Sequence, residues 1–265
     1  MRPPFPGRKP RLFGHRGAAG VAPENTLVSF QRALADGADI LELDVHATED
    51  GEVVVIHDAT LERTTDGAGL VASHRWTELA RLDAGFRFTP DGGRTFPYRG
   101  QGVTVPRLAD LMRECPRVPL NIEIKQEEPC IVAEVIALVR AAGAPVLLAA
   151  ERHAVMERIR ATAPEIPTSL SRVEVAAFVA ALRGGAPPVL PEGARALQIP
   201  PRFGQLALVT AESLRAAHGL GAEVHVWTIN EPEEMRCMIA LGCDGIMTDF
   251  PARARAVMRE GAQRA

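Results

Sequence analysis

The sequence predicts a (β/α)8 TIM barrel with a small insertion after the second strand, in a single domain spanning residues 1–265. The chain length of 265 residues matches the roughly 250 that such a barrel needs. From residue 106 onward, short apolar strands alternate with helical segments, and repeated βα units favour parallel strands. An open doubly wound sheet is the main alternative. No Gly-x-Gly-x-x-Gly motif follows an early strand, which weakens the dinucleotide-binding form of that alternative.

Composition and charge argue against a nucleic-acid-binding, secreted or membrane-spanning protein. The net charge of −3 shows no basic excess, so we expect no nucleic-acid partner. The basic N-terminus lacks the apolar core of a signal peptide, and no later stretch reaches the roughly 18 apolar residues of a membrane span. The four cysteines form no Cys-x-x-Cys pair and are expected to be reduced. We therefore expect a cytoplasmic protein without stable membrane association, either a monomer or a homodimer.

The first βα unit contains a glycine-flanked turn. A predicted strand over 11–13 leads into Gly14-His15-Arg16-Gly17, where the glycines allow a sharp turn and a close approach to a ligand. A helix over 26–34 follows, because apolar residues recur there at helical spacing. We expect Asn25 to be its N-cap and Gly37 to follow its last turn.

The second strand and the insertion come next. The second strand is predicted over 40–48 and is extended by 53–56 after an Asp-Gly turn. Residues 59–104 are rich in Thr, Arg, Gly and Asp and lack sustained periodicity. We interpret them as a small insertion that covers one end of the barrel.

The βα alternation then resumes to the end of the chain. Further strands are predicted over 119–125, 145–148, 166–170, 196–199, 222–227 and 245–247. Further helices are predicted over 108–114, 130–141, 153–161, 173–182, 211–218 and 232–241, with a last helix from residue 251.

Polar side chains alternate with apolar ones on three predicted strands. The polar faces carry Glu42, Asp44 and His46; Asn121, Glu123 and Lys125; and Glu223, His225 and Trp227. Half-solvated antiparallel strands show the same alternation. In a βα series, however, helices cover the outer face, so the polar face must point into the barrel. Carboxylates inside a barrel are costly unless they bind a cation, so Glu42, Asp44 and Glu123 predict a site for Mg²⁺ or Ca²⁺.

Two histidines follow strands at what would be the active-site rim of a barrel. His15 comes after the first strand, and His57 ends the extension of the second. The two histidines would supply an acid and a base, and a bound cation would supply a Lewis acid. Arg16 and Lys125 nearby would bind an anion. This combination of groups is typical of an enzyme that catalyses phosphoryl transfer.

Nine short motifs support the same interpretation, in a fixed order from one end of the chain to the other. They lie at 14–17, 23–26, 42–45, 48–51, 57–58, 61–65, 121–125, 226–230 and 244–251. Together they resemble the glycerophosphodiester phosphodiesterase family. The resemblance implies a metal-dependent enzyme that hydrolyses a small-molecule glycerophosphodiester to sn-glycerol 3-phosphate and an alcohol.

The resemblance also implies roles for individual residues. It implies one divalent cation, Mg²⁺ or Ca²⁺ with Mn²⁺ as a further candidate, held by Glu42, Asp44 and Glu123 together with carboxylates on the Glu24 side. His15 and His57 correspond to the catalytic acid–base pair. Substrate contacts are expected at Arg16, Lys125 and Trp227. The resemblance further implies that the glycerol 2-hydroxyl is the nucleophile, which gives a cyclic phosphate that water then opens.

One departure from the family pattern affects substrate preference. Many members carry Ser-Phe after the fourth strand, where this chain has Ala149-Ala150. Independently of this departure, two alternatives stay open. One is a related barrel enzyme that cleaves lysophospholipids or phospholipids, and the other is a non-enzymatic protein that binds phosphate esters.

Overall fold

The computed structural model describes the backbone of residues 3–264 and the side chains of residues 3–261. The strands are β1 (Arg11–Gly14), β2 (Ile40–Ala47), β3 (Val53–Val55), β4 (Leu120–Ile124), β5 (Val146–Ala149), β6 (Thr168–Ser169), β7 (Ala194–Ile199), β8 (Arg202–Phe203), β9 (Leu206–Ala207), β10 (Glu223–Val226) and β11 (Gly245–Thr248). The α-helices are α1 (Leu27–Ala35), α2 (Trp76–Leu79), α3 (Leu108–Glu114), α4 (Val132–Ala142), α5 (His153–Thr162), α6 (Arg172–Arg183), α7 (Ala211–Gly219), α8 (Pro232–Leu241) and α9 (Pro251–Arg264).

Eight parallel strands form a closed barrel, which confirms the predicted fold class. They follow one another in the order β1, β11, β10, β7, β6, β5, β4 and β2, and a pairing between β1 and β2 closes the ring. β3 lies outside this ring as the antiparallel partner of β2, so the stretch predicted to extend the second strand forms a hairpin with it. Among residues 3–264, no helix combines the length and the apolar character needed to cross a membrane.

Several boundaries differ from the prediction for local reasons. Asn25 is not the N-cap of α1; Thr26 is, because its side chain accepts a hydrogen bond from the backbone N–H of Ser29. Gly37 follows the helix with φ of +93°, as predicted. β6 is shorter than the predicted strand over 166–170, since its register with β7 shifts between Thr168 and Ser169. The hairpin of β8 and β9 was not predicted.

The alternation on β2 divides the barrel into an outer apolar layer and an inner polar one. Leu41, Leu43 and Val45 are fully buried in the core between the sheet and its helices. The intervening Glu42 and Asp44 point the other way and line the cleft at the end of the barrel. The prediction that the polar face points into the barrel is confirmed.

The insertion has a small core of its own. Leu61, Val71, Leu79 and Val103 pack together, and the cluster extends to Val54 of β3. Residues 59–104 therefore lie against the hairpin arm of the second strand.

At the opposite end of the barrel, the buried Glu223 is the centre of an ion-pair network. Glu223 accepts a hydrogen bond from Arg11 at 2.7 Å, lies 2.9 Å from the Lys9 ammonium and is 3.0 Å from Nε2 of His225. Arg11 is 2% exposed and also donates to the backbone oxygen of Phe5 at 2.6 Å. Burial alone would raise the pKa of Glu223, but His225 and the two cations lower it to about 2. Glu223 and His225 of β10 thus hold the amino-terminal ends of the strands together.

Candidate active site

Three carboxylates from neighbouring strands converge at the carboxyl end of the barrel. Asp44 of β2 and Glu123 of β4 are register partners, and Glu42 lies two residues before Asp44 on the same face. One ligand oxygen from each of the three lies within 4.8 Å of the others. The predicted convergence of Glu42, Asp44 and Glu123 is confirmed. Hard oxygen donors at this spacing fit a cation such as Mg²⁺ or Ca²⁺.

The electrostatics of the three carboxylates reflect their crowding. Burial, reinforced by the charge of Asp44, raises the pKa of Glu42 to about 7. Burial also raises the pKa of Glu123. For Asp44, burial is outweighed by Lys125 and Arg16, and its pKa is lowered. Such a group of negative charges is what a divalent cation would neutralise.

Lys125 and Arg16 lie directly beside the carboxylates. The ammonium of Lys125 is 2.8 Å from Glu123 and 3.2 Å from Asp44. Nε of Arg16 is 3.2 Å from Asp44, and the backbone N–H of Arg16 donates to Glu42 at 2.9 Å. Arg16 and Lys125, the two residues predicted to contact the phosphate, therefore lie beside the carboxylates, where both could contact a bound anion.

His15 is fixed by Asp249, which follows the last strand β11 and is itself held by Asn230, which follows β10. Its Nδ1 lies 2.7 Å from Oδ1 of Asp249, and Oδ2 of Asp249 accepts from the side-chain amide of Asn230 at 2.7 Å. Burial would lower the pKa of His15, but the hydrogen bond to Asp249 and the charge of Glu42 outweigh it and leave the pKa raised. Sequence reasoning did not single out Asp249, although it lies within the motif at 244–251.

His57 has a carboxylate partner of its own on the other side of the site. Its Nδ1 lies 2.6 Å from Oδ1 of Asp58, which also accepts from Arg63 of the insertion. The Arg63 hydrogen bond is the main cause that lowers the pKa of Asp58 to about 2. Arg63 also donates to Glu24 at 2.7 Å. Both predicted histidines thus line the same cleft as the carboxylates, each held by an aspartate.

The turn after β1 brings its polar groups to the site through unusual backbone conformations. Arg16, Gly17 and Asn25 have φ of +50°, +88° and +56°. Gly17 packs closely on Ser29: a Cβ there would lie 2.6 Å from the backbone carbon of Ser29. Asn25 turns its amide inward and donates to Asp44 at 3.0 Å, which explains why it does not cap α1.

Two further polar residues, Glu24 and His46, border the site. Glu24 pairs with Arg16 and Arg63 and is not one of the three carboxylates whose oxygens converge. His46, on the polar face of β2, is buried, and its Nε2 lies 3.1 Å from the backbone oxygen of His57. Burial lowers its pKa. His46 therefore supports the loop that carries His57.

A cleft of about 690 Å³ opens above the carboxylates. His15, His57, Arg16, Lys125 and Trp227 all line it, with Trp227 41% exposed at the rim. Much of its wall comes from α6 and from the segment that includes β8 and β9. Residues 59–104 do not contribute to the described lining, so the expectation that they cover this end is corrected. They border the site through Arg63.

Comparisons with known proteins agree with this geometry. The model of the glycerophosphoryl diester phosphodiesterase family matches residues 15–253. The chain belongs to this family. As a phosphodiesterase of this family, it is an enzyme that hydrolyses glycerophosphodiesters.

Individual relatives extend the match over nearly the whole chain. A glycerophosphodiester phosphodiesterase of Bacillus altitudinis is 32% identical, over 94% of this chain and 98% of the relative. A mouse lysophospholipase D is 28% identical, over 92% of this chain and 85% of the relative. A phosphodiesterase structure from Oleispira antarctica, in complex with the product sn-glycerol-3-phosphate, is 25% identical with a TM-score of 0.76, covering 94% of this chain and 97% of that one.

Proposed function

We propose that this phosphodiesterase releases sn-glycerol 3-phosphate and an alcohol in a reaction that requires one divalent cation and both cleft histidines. The observation that carries the proposal is the grouping of three converging carboxylates with two aspartate-held histidines in one cleft. The product bound in the Oleispira antarctica structure supports the choice of substrate.

The two histidines would act as base and acid. We assign to His57 the removal of the proton from the attacking hydroxyl, and to His15 the donation of a proton to the leaving alcohol. With Nδ1 of each ring turned toward an aspartate, Nε2 is the atom left for proton transfer. The raised pKa of His15 favours the protonated ring that an acid needs.

Glu42, Asp44 and Glu123 would hold the cation, Mg²⁺ or Ca²⁺ with Mn²⁺ as a further candidate. Its chemistry would be charge neutralisation at the phosphate. Arg16 and Lys125, beside the carboxylates, would bind the remaining phosphate oxygens. Trp227, exposed at the rim, would pack on the carbon skeleton of the substrate.

The nucleophile in this proposal is the 2-hydroxyl of the glycerol. Its attack would form a cyclic phosphate and release the alcohol, and water would then open the ring. Nucleophile and phosphorus belong to one bound molecule, which lowers the entropic part of the barrier. The cytoplasmic location and the monomeric or homodimeric state stay predictions.

A coupled assay of glycerol 3-phosphate release from glycerophosphocholine tests the proposal. His15→Ala and His57→Ala should each lower kcat by about 10²–10⁴-fold, the usual contribution of a placed proton-transfer group. An activated ester, whose leaving group needs no proton, should restore most of the activity of His15→Ala and little of that of His57→Ala. Equal recovery of the two variants would show that the assignment is wrong.

Cation dependence is tested in the same assay. Excess chelator should abolish turnover, and Mg²⁺, Mn²⁺ or Ca²⁺ should restore it to different degrees. Full activity in chelator would remove the cation from the proposal.

A further inference from the structure

A chain of hydrogen bonds crosses the interior of the barrel from its amino-terminal end to the floor of the cleft. Nε2 of His225 lies 3.0 Å from Oε2 of Glu223, and Nδ1 of the same ring lies 3.3 Å from Nε2 of Gln198. Gln198 also donates to Oδ1 of Asn121 at 2.7 Å. His225 is fully buried, whereas Gln198 and Asn121 both line the cleft. The chain therefore ends at two amide side chains beside the substrate.

The carboxylate at the far end of this chain sets which atoms donate and which accept. Glu223 is paired with the cations of Lys9 and Arg11, so it stays ionised and can only accept. Nε2 of His225 therefore carries the hydrogen of this contact, and Nδ1 is left to accept from Gln198. The amide nitrogen of Gln198 then directs one hydrogen to His225 and the other to Asn121.

This arrangement leaves two polar atoms on the floor of the cleft for a ligand. Within residues 3–261, neither Nδ2 of Asn121 nor Oε1 of Gln198 has a hydrogen-bond partner. Asn121 is only 2% exposed, and buried polar atoms are rarely left without a partner. One of the two atoms donates and the other accepts. A hydroxyl group complements both, because its oxygen can accept and donate at once.

The floor lies directly below the converging carboxylates. Asn121 precedes Glu123 by two residues on β4, so their side chains share a face and their Cα atoms lie about 6.6 Å apart. Asn121 is also the register partner of Glu42 on β2. The three-carbon skeleton of a glycerol phosphate spans a similar distance from its phosphorus to its terminal hydroxyl. A phosphate at the carboxylates would therefore direct that hydroxyl toward the floor.

We propose that Asn121 and Gln198 bind the sn-1 hydroxyl of the glycerol, and that His225 positions Gln198 for this contact. The inference rests on the proposed function, which places the phosphate at the carboxylates and uses the 2-hydroxyl for attack on phosphorus. Nδ2 of Asn121 donates to the sn-1 oxygen, and the sn-1 hydroxyl donates to Oε1 of Gln198. The contact selects diesters of glycerol over diesters of diols that lack this hydroxyl.

A substrate that lacks only the sn-1 hydroxyl tests the contact. 2-Hydroxypropyl phosphocholine keeps the 2-hydroxyl, the phosphate and the choline of glycerophosphocholine, so choline release in the presence of Mg²⁺ measures both on one scale. Two neutral hydrogen bonds should give glycerophosphocholine an advantage in kcat/KM of roughly 10- to 100-fold in the wild type. Equal values of kcat/KM for the two substrates would overturn the inference.

Two variants and a control on the cleft floor locate the effect. Asn121→Leu and Gln198→Met keep the approximate volume of the side chain and remove its polar atoms. Each should reduce the preference for glycerophosphocholine by roughly 2- to 12-fold, chiefly through KM. Ser169 also lines the cleft, but its hydroxyl donates to the backbone oxygen of Leu170 at 3.4 Å, so Ser169→Ala should leave the preference unchanged. Equal losses in all three variants would contradict the assignment.

His225 is tested as a positioning residue. His225→Phe keeps a ring beside Phe13, whose centroid lies 4.7 Å from that of His225, and leaves Glu223 paired with Arg11 and Lys9. KM for glycerophosphocholine should rise by roughly 2- to 12-fold, while kcat/KM for 2-hydroxypropyl phosphocholine stays close to that of the wild type. An equal loss on both substrates would show that His225 only supports the fold and would overturn its assignment.

Calorimetry provides a readout that needs no turnover. With Mg²⁺ present, sn-glycerol 3-phosphate should bind the wild type more tightly than 2-hydroxypropyl phosphate, and Gln198→Met should reduce the difference. If glycerophosphocholine is hydrolysed without any preference over its deoxy analogue, the inference is wrong and the proposed function stands. If no diester is hydrolysed but the calorimetric difference is found, Asn121 and Gln198 bind the hydroxyl and the proposed function fails.

Discussion

Replacing Asp249 by Asn would test how the acid histidine is held. Oδ1 of Asp249 lies 2.7 Å from Nδ1 of His15, and Oδ2 accepts from the amide of Asn230 at 2.7 Å. In Asp249→Asn, the new carboxamide oxygen would keep the hydrogen bond from Asn230. Its NH₂ group would then face His15 and make Nδ1 an acceptor, which disfavours the protonated ring.

The expected loss follows from the hydrogen bond that disappears. A hydrogen bond to a charged group contributes about 1.5–3 kcal/mol, which corresponds to a fall in kcat of about 10- to 150-fold. His15 and Asp249 are 17% and 24% exposed, so solvent replaces part of the interaction and the lower half of this range is expected. Complete loss of acid catalysis, at about 10²–10⁴-fold, sets the upper limit.

The assay compares glycerophosphocholine with an activated ester in the wild type and two variants. Asp249→Asn should be impaired on glycerophosphocholine and close to wild type on the activated ester. Asp58→Asn makes the same change beside His57, at 2.6 Å, and should be impaired on both substrates. The melting temperatures of both variants are compared with that of the wild type to check that both variants fold. Equal impairment of Asp249→Asn on the two substrates would refute the argument.

Three further predictions concern the cation, the acid stability and the turn after β1. Asp44→Asn should weaken the apparent affinity for the activating cation by more than the roughly 10–100-fold that loss of an outer-shell partner costs, measured as the concentration for half-maximal activity. The pKa of Glu223 is lowered to about 2 in the folded protein, so ionised Glu223 stabilises the fold above the pKa that it has in the unfolded chain. This stabilisation is lost as the pH falls toward 2. In urea unfolding, the free energy of unfolding of Glu223→Gln should therefore depend less on pH in the acid range than that of the wild type. A contribution of about 3 kcal/mol is expected from that shift, and an unchanged profile would argue against it. Gly17→Ala should lower the melting temperature by several degrees more than Gly51→Ala. Both glycines have positive φ, but only a Cβ at position 17 would clash with a neighbour, Ser29. Equal shifts in melting temperature would contradict this prediction.

The fold was predictable because its signals are local and repeated. Each βα unit carries its own apolar spacing, and the polar face of β2 revealed which side faces the barrel interior. The errors arose where a tertiary contact decides the local structure. Asn25 is a residue type that is common at helix N-caps, but its side-chain amide donates a hydrogen bond to Asp44 across the turn. The β8–β9 hairpin has only two residues in each strand, too few for an alternation to show.

The candidate site was predictable to the extent that its residues share strands. Glu42, Asp44 and Glu123 lie on adjacent parallel strands, so their convergence follows from the pleat and the register. The partnership of His15 with Asp249 joins residues 234 positions apart and depends on the pairing of β1 with β11. Val175 and Val179 of α6 look in sequence like any helix face that packs on a sheet. The structure shows that they also line the cleft.

The contacts of Arg63 link the folding of the insertion to the order of the catalytic centre. Arg63 bridges Glu24 and Asp58, while Glu24 also holds Arg16 and Asp58 holds His57. A local opening of residues 59–104 would withdraw Arg63 from both carboxylates at once and leave Glu24 and Asp58 less restrained where they contact Arg16 and His57. Amide hydrogen exchange in the insertion should therefore slow when substrate and cation are bound, although the insertion does not line the cleft. The hydrogen-exchange rate of the insertion, which lies outside the barrel, would then depend on whether substrate and cation occupy the catalytic cleft.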